Sequence, residues 1–368
     1  MKRMLVYLLA LGLALSFWGC APAEPPAEES TGTMPTETEA GPTSAWQIID
    51  GEKYWVTEDG RIVTGWFSDP AESGSVRYYL DDSGKALTGW QDIEGKRYHF
   101  GQDGTMTTGW LEEGGSKYYF GIDGAMVTGL LNIQNNGYYF GEDGTCYSGW
   151  LEQDGKTYHF DDSGVMAVGP REIDGEQHYF SPHGVKILLV NPWNSLPEGY
   201  QVELEHVDNW YRLEKNCAQA LKRMVADCTA AGFEPKIASA YRTQEDQEFL
   251  YWRKVGRLEA AGMDRELALV EAAKVVAIPG TSEHQLGLAV DLSDKYYTEL
   301  DELQAETDTQ KWLMEHCYEY GFILRYPTGT TEITGIIYEP WHYRYVGQEI
   351  AQELRNLGIT LEEYLGAA

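Results

Sequence analysis

The chain has 368 residues, with 28 basic against 58 acidic side chains and a formal net charge of −30. One hydrophobic core rarely organises more than about 250–300 residues, so two or more domains are expected. The acid excess leaves no cationic surplus for phosphates, which excludes nucleic acid as a partner, and a hydrophobic content of 43% excludes global disorder.

In chain order, Met1-Lys2-Arg3 is a positive start, followed by a nearly unbroken apolar run from Met4 to Trp18. A spanning helix needs about 20 such residues, so residues 1–19 read as a signal peptide. Gly19-Cys20 then resembles the lipobox of bacterial lipoproteins, with Phe17 and Trp18 as departures. The resemblance implies cleavage before Cys20 and lipidation of its thiol. Ordinary secretion and an uncleaved anchor are the alternatives, and each puts the remaining chain outside the cytoplasm. Residues 20–45 are rich in Pro, Glu, Thr and Ser and have almost no large apolar side chains, so they are expected to form a disordered spacer. The membrane is expected as a partner only through the lipid. Cys146, Cys217, Cys228 and Cys317 read as buried thiols. Eleven residues of helix would hold Cys217 and Cys228 about 16 Å apart, too far for a disulfide.

Residues 46–185 repeat. Tyr98-His99, Tyr118-Tyr119, Tyr138-Tyr139, Tyr158-His159 and His178-Tyr179 fall twenty apart, each followed by Phe, and glycines recur with the same period from Gly84 to Gly184. The first unit carries four extra residues around Asp69–Ser75. Asp-Gly between alternating aromatic runs signals hairpins. A lone hairpin is marginal in water, whereas stacked hairpins bury one another's faces, so a β-hairpin solenoid of about seven units is expected. The pattern resembles the choline-binding and clostridial-toxin-type cell-wall-binding repeats. The resemblance implies aromatic cages or sugar platforms, with Trp66, Trp90, Trp110, Trp150, Tyr98, Tyr118, Tyr138 and Tyr158 as candidate ligand contacts. The implied partner is a cell-wall polymer, either choline-bearing teichoic acid or polysaccharide. Choline-binding repeats often place Trp before the aromatic pair, but Arg77, Arg97, Lys117, Gly137 and Thr157 stand there.

Residues 186–368 read as one α+β domain. Helices are expected over Asn216–Ala231, Gln244–Trp252, Arg265–Val276 (capped by Asp264) and Lys311–Tyr320, with strands at Ile237–Ser239, Leu288–Val290 and Ile336–Tyr338. Candidate chemistry sits in Ser282-Glu283-His284 through Asp291, in Glu339-Pro340-Trp341-His342 and in Ser239-Ala240-Tyr241-Arg242-Thr243. His284 and Asp291 are seven residues apart, too far for one metal ion on a straight helix or strand. They converge only if the chain turns, and Gly287 allows a turn. Pro340 pushes Glu339 out of the helical region, so that segment is expected to bend at a strand end.

These segments resemble the VanY-type D-alanyl-D-alanine carboxypeptidases, zinc enzymes that trim peptidoglycan stem peptides. The resemblance runs from about Leu188 to the C-terminus and includes Tyr320–Pro327 and Trp341–Gly347. It implies one Zn2+ held by His284, Asp291 and His342, with Glu339 as general base and then acid. Arg242 would stabilise the tetrahedral intermediate, and Ser282, Gln247, Tyr241 and Trp341 would contact substrate, with Tyr343 a further pocket wall. Glu283 is expected to point elsewhere, and His206 and His316 to be structural. The expected function is a wall-anchored D,D-carboxypeptidase acting on stem peptides. L,D-carboxypeptidase action on tetrapeptides and non-catalytic wall or glycan binding are the alternatives.

Overall fold

The structure, a computed structural model, describes residues 43–71 and 76–368. The signal peptide, Cys20 and the spacer up to residue 42 lie outside the described residues. Ala45, read as spacer, already opens the first strand. No helix among the described residues is long and apolar enough to cross a membrane.

The repeats form seven two-stranded antiparallel hairpins, from Ala45–Ile49 paired with Glu52–Val56 to Gly169–Ile173 paired with Glu176–Phe180. The periodic glycines are not at the hairpin tips, which corrects the turn assignment. The tips are pairs such as Asp154-Gly155 and Asp174-Gly175, where both residues have positive φ, as a two-residue hairpin turn of the primed type requires. Gly104, Gly124 and Gly144 lie in the connections between hairpins, and there the chain bonds back to the previous unit. The Met106 amide donates to the Arg77 carbonyl, and that of Met126 to Arg97. Phe100, Phe120, Phe140, Phe160 and Phe180 are fully buried, one per unit. Repetition therefore supplies what a single hairpin lacks, an apolar neighbour on each side.

The C-terminal domain is built on a four-stranded antiparallel sheet. Its strands are β1 (Pro235–Ser239), β2 (Ala289–Asp294), β3 (Phe322–Leu324) and β4 (His342–Tyr345), in the order β1-β2-β4-β3. Side chains alternate across a strand, and the alternation divides the sheet. Val290, Leu292, Phe322 and Tyr343 join the core with Ala218, Leu221 and Met224 of helix α1 (Lys215–Ala230). Asp291, His342 and Arg344 fall on the opposite face. Helices α2 (Gln244–Ala260) and α3 (Arg265–Ala273) pack on each other, and the Thr243 and Asp264 side chains cap their first turns.

Three expectations need correction. Ile336–Tyr338 is not a strand; it follows a turn at Gly335 (φ +76), and the Ile337 amide bonds singly to the Lys274 carbonyl. The segment read as one helix over Lys311–Tyr320 is an α-helix, Asp308–His316, tightening to a 3₁₀ turn at Cys317–Tyr320. Cys146 is only half-buried, whereas Cys217, Cys228 and Cys317 are buried, and all four are free.

The two parts meet tightly. The last hairpin gains a short third strand, Lys186–Ile187. Tyr179 and Ile187 pack into a cluster with Leu189, Ile350, Leu354 and Leu365. Lys156 pairs with Glu349 at 2.6 Å and His183 with Glu353 at 2.7 Å, while the Tyr179 hydroxyl donates to Asn194 Oδ1 at 2.6 Å.

Candidate active site

Asp291 sits in mid-strand on β2, and sheet register pairs it directly with His342 on β4 and with Ser239 on β1. His284 arrives from a 3₁₀ turn, Glu283–Leu286, that ends at Gly287 with φ +74. A Cβ there would approach the Glu214 backbone nitrogen to 3.1 Å, so both conformation and space favour glycine. The reversal at Gly287 brings His284 back over the strand that carries Asp291. The bend at Pro340-Trp341 ends with the His342 amide bonded to the Glu339 carbonyl at 3.1 Å, which turns both side chains to one side.

The resulting geometry is compact. His284 Nε2 lies 3.2 Å from Asp291 Oδ2, and His342 Nδ1 lies 3.0 Å from Asp291 Oδ1. One ligand atom from each of the three lies within 4.8 Å of the others, and all three residues are buried. Glu339 Oε2 is 3.9 Å from His342 Nδ1. Arg242 donates through Nη2 to Asp291 Oδ2 at 2.8 Å and through Nε to Ser239 Oγ at 2.9 Å.

The donor set fits a cation. His284 Nδ1 is 2.7 Å from the Ala240 carbonyl, which can only accept, so Nδ1 carries the hydrogen and the Nε2 lone pair faces Asp291. His342 turns Nε2 toward the Glu283 carboxylate at 3.4 Å, which leaves Nδ1 facing Asp291. In their unprotonated forms both imidazoles thus direct their hydrogens outward and their lone pairs inward, toward the space they share with Asp291. This is how histidines oriented for a metal are held from behind.

In the metal-free chain a proton on His342 stands where a cation would, between the ring and Asp291. Burial, helped by Arg242, lowers the His284 pKa to about 4. Burial also disfavours charged His342, but hydrogen bonds to Asp291 and Glu283 outweigh it and raise the pKa to about 9. For Asp291, the nearby His284 charge and hydrogen bonds from both imidazoles overcome burial and hold the carboxyl well below its usual range. Glu339 behaves differently: burial, with the Asp291 charge adding to it, raises its carboxyl to about 8.

The trio forms one wall of a cavity of about 200 Å³, which Ser282, Glu339, Trp341 and Arg242 also line. Gln247 and Tyr241 do not line it. Gln247 is entirely buried behind Arg242, accepting from Nη1 at 3.2 Å and donating to the Ala277 carbonyl at 2.7 Å. Tyr241 is half-buried and outside the cavity wall. Tyr343 faces the core, its hydroxyl donating to Gln310 at 2.7 Å. His206 and His316 lie outside the cluster, and His316 pairs with Glu319 at 2.8 Å.

Glu283 is the residue that sequence reasoning missed. It is fully buried, accepts from Arg325 Nε at 2.8 Å and Arg344 Nη1 at 2.7 Å, and backs His342. Arg325 also holds Glu362 near the C-terminus, while Arg344 Nη2 donates to the Leu188 carbonyl. The signal was present as two arginines set among apolar residues, Arg344 on a strand and Arg325 directly after another, since a buried arginine requires a carboxylate.

In the repeats, each Trp packs on the second aromatic of its own hairpin and the first aromatic of the next. Trp66 contacts Tyr79 and Tyr98, Trp90 contacts His99 and Tyr118, Trp110 contacts Tyr119 and Tyr138, and Trp150 contacts His159 and His178. Tyr158 is buried, 6% exposed, and shares none of these Trp contacts. Internal cations cover several of the faces: Arg77 lies 4.4 Å from the Trp66 ring centre, Arg97 lies 5.5 Å from Trp90 and Lys186 lies 4.6 Å from Trp150. Lys117, the equivalent residue beside Trp110, instead approaches Glu112 at 3.8 Å.

Comparison with known proteins follows the same division. Residues 211–348 match the family described as VanY, D-alanyl-D-alanine carboxypeptidase, and residues 43–88, 87–128 and 127–170 match the choline-binding repeat. A D-alanyl-D-alanine carboxypeptidase of Enterococcus faecalis is 44% identical over 180 residues, covering 49% of this chain and 65% of that protein. The bifunctional D-Ala-D-Ala dipeptidase and D-Ala-D-Ala carboxypeptidase VanXYC of Enterococcus gallinarum is 36% identical over 157 residues, covering 41% of this chain and 76% of its own length. A solved vancomycin-resistance D,D-pentapeptidase VanY variant in complex with Zn(II) is 43% identical, covering 48% of this chain and 97% of that one, with a TM-score of 0.45. Through its C-terminal domain, the chain belongs to the VanY D-alanyl-D-alanine carboxypeptidase family and carries choline-binding-type repeats ahead of it.

Proposed function

We propose that the protein is a zinc-dependent D,D-carboxypeptidase that removes the terminal D-alanine from peptidoglycan stem peptides, held at the cell wall by its repeats. The reading divides the chain at residues 185 and 186, with the wall-binding array before and the peptidase after. The observation that carries it is the convergence of two imidazoles, each held from behind, on Asp291, with a protonatable Glu339 beside them.

His284, Asp291 and His342 would hold the ion, which supplies Lewis-acid chemistry at neutral pH. Glu339 performs the proton traffic. A carboxyl whose pKa is raised to about 8 can take a proton from the attacking water and return it to the leaving amine, because both forms are accessible near neutrality. Arg242 presents a fixed guanidinium to the oxygen that gains negative charge, pre-positioned by Ser239 and Gln247. Ser282 and Trp341 wall the pocket for the departing residue. Gln247 and Tyr241 would act only through their neighbours.

For the repeats, the cage formed by Trp110, Tyr119 and Tyr138 is the best supported entry point for a quaternary ammonium of a choline-bearing polymer. Trp110 is 41% exposed and no cation among the described residues lies over its ring. The chain would then work outside the cytoplasm, associated with the wall, with lipid attachment at Cys20 as a further tether.

The test is a comparison of the intact chain with Glu339→Gln on pentapeptide and tetrapeptide stems, read by product mass, with zinc content measured in both. Loss of one D-alanine from the pentapeptide is expected from the parent. The variant should retain zinc and lose at least about 100-fold in kcat. Release from the tetrapeptide alone would favour the L,D activity, and undiminished cleavage by the variant would overturn the role of Glu339.

A further inference from the structure

Three cations line the same cavity as the metal trio without taking part in it. Arg253, Lys254 and Arg257 project from α2, and with Leu250 they follow the i, i+3, i+4, i+7 spacing of a single helix face. None of them has an ion-pair partner among the described residues, although acidic side chains outnumber basic ones 58 to 28 in the chain. Nearby cations behave otherwise: Arg265 pairs with Glu259 at 2.9 Å and Lys274 with Glu271 at 2.6 Å. An unpaired cationic face on so acidic a protein is kept clear of its own carboxylates.

The placement indicates what it faces. His284, Asp291, His342 and Glu339 are buried at the floor of the cavity, whereas Arg253 and Arg257 are exposed and Lys254 is half-exposed. The lining also includes a small apolar stretch, Val275, Val276, Ala277 and Ile336. A carboxypeptidase receives the C-terminal end of its substrate at the floor, so the mouth meets residues upstream of the scissile bond. A cavity with small apolar lining beside its buried polar trio, and cations where it opens to solvent, is the complement of a peptide with a small apolar end and an anionic group a few residues before it.

On the peptidase reading above, we propose that Arg253, Lys254 and Arg257 form an anion-recognising rim that selects stem peptides carrying a free carboxylate upstream of the terminal D-alanines. Exposed pairs are individually weak, but three converging on one anion add and are screened by salt. The rim sets affinity and encounter, and leaves the chemistry at Glu339 alone.

The test uses two pentapeptides ending in D-Ala-D-Ala that differ only in a free carboxylate or a carboxamide on the second residue. Their binding to the full zinc-loaded chain carrying Glu339→Gln is measured by calorimetry, with and without R253Q/K254Q/R257Q. The carboxylate peptide is expected to bind about tenfold more tightly at low salt. That preference should fall to near parity in the triple variant and at about 0.5 M salt, while the affinity of the carboxamide peptide stays unchanged, which also reports that the variant is folded. A preference that survives the triple substitution, no preference in the parent, or binding of neither peptide would overturn the proposal. A rim-dependent preference without any cleavage by the unsubstituted chain would leave the rim standing and overturn the peptidase reading.

Discussion

Glu283→Gln is the sharpest perturbation of the site that leaves every candidate ligand in place. The glutamate is buried and accepts from two guanidiniums at 2.8 and 2.7 Å while facing His342 Nε2 at 3.4 Å. Its own carboxyl is held far below the usual range: burial opposes this, but Arg325 and Arg344 outweigh burial. Glutamine keeps the shape and removes the charge. Arg325 then has Glu362 alone, and Arg344 is left with backbone carbonyls. Removing one member of a buried pair costs about 3–5 kcal/mol. For a folding unit of this size, each kcal/mol moves the melting temperature by about 2–4 °C, so a fall of about 6–20 °C is expected. Losing the acceptor behind His342 should also weaken zinc binding by about 10–100-fold. Calorimetric melting of the full chain, with the peptidase transition identified by its shift on adding zinc, reads the first effect, and competition with a chromogenic chelator reads the second. Adding Arg344→Met should recover part of the stability, since an apolar replacement costs less than an orphaned charge. A drop under about 2 °C together with unchanged zinc affinity would refute the assignment of Glu283 as the buried counter-charge.

Zinc binding should be proton-linked. In the metal-free chain, His342 has a folded pKa of about 9, above its usual value. That stabilisation is fully present below about pH 6.5 and is lost as pH rises through 9. The metal needs the unprotonated ring, so apparent affinity should rise at least tenfold per pH unit from about 6.5 to 9 and then level off; a flat profile would contradict the shift. In the repeats, Trp110→Ala should abolish retention on choline resin, whereas Trp66→Ala should leave it largely intact because Arg77 already covers that ring. Equal losses would refute the distinction between open and self-filled cages.

Much of the site was legible in the residues, because His284 and Asp291 need a turn and Gly287 supplies it. What the sequence did not reveal was register. That Asp291 stands directly opposite His342 depends on which strands pair, and cross-strand partners leave no local mark. Glu283 was misjudged for a related reason. The neighbour of an inward-facing residue normally points away to solvent, but on this 3₁₀ turn both directions are interior, one toward the metal trio and the other toward two arginines. In the repeats the period was plain and the phase was not. Glycine turns occur twice per unit, and the more regular set marks the connections, while the tips vary from Glu94-Gly95 to Gln134-Asn135. The Ile336–Tyr338 run had β-branched character, but its Ile337 amide bonds to the Lys274 carbonyl after α3 and not to a strand.

The contact between the last hairpin and the peptidase has a mechanical consequence. Two ion pairs, a tyrosine–asparagine bond and a shared apolar cluster weld the units at several points. On the proposed function, an array that grips a wall polymer would aim the catalytic opening and not merely leash it, because the two units share these contacts. The bonds within reach of one docked molecule then lie at a set offset and bearing from its foothold, so progress along the wall demands letting go and gripping again.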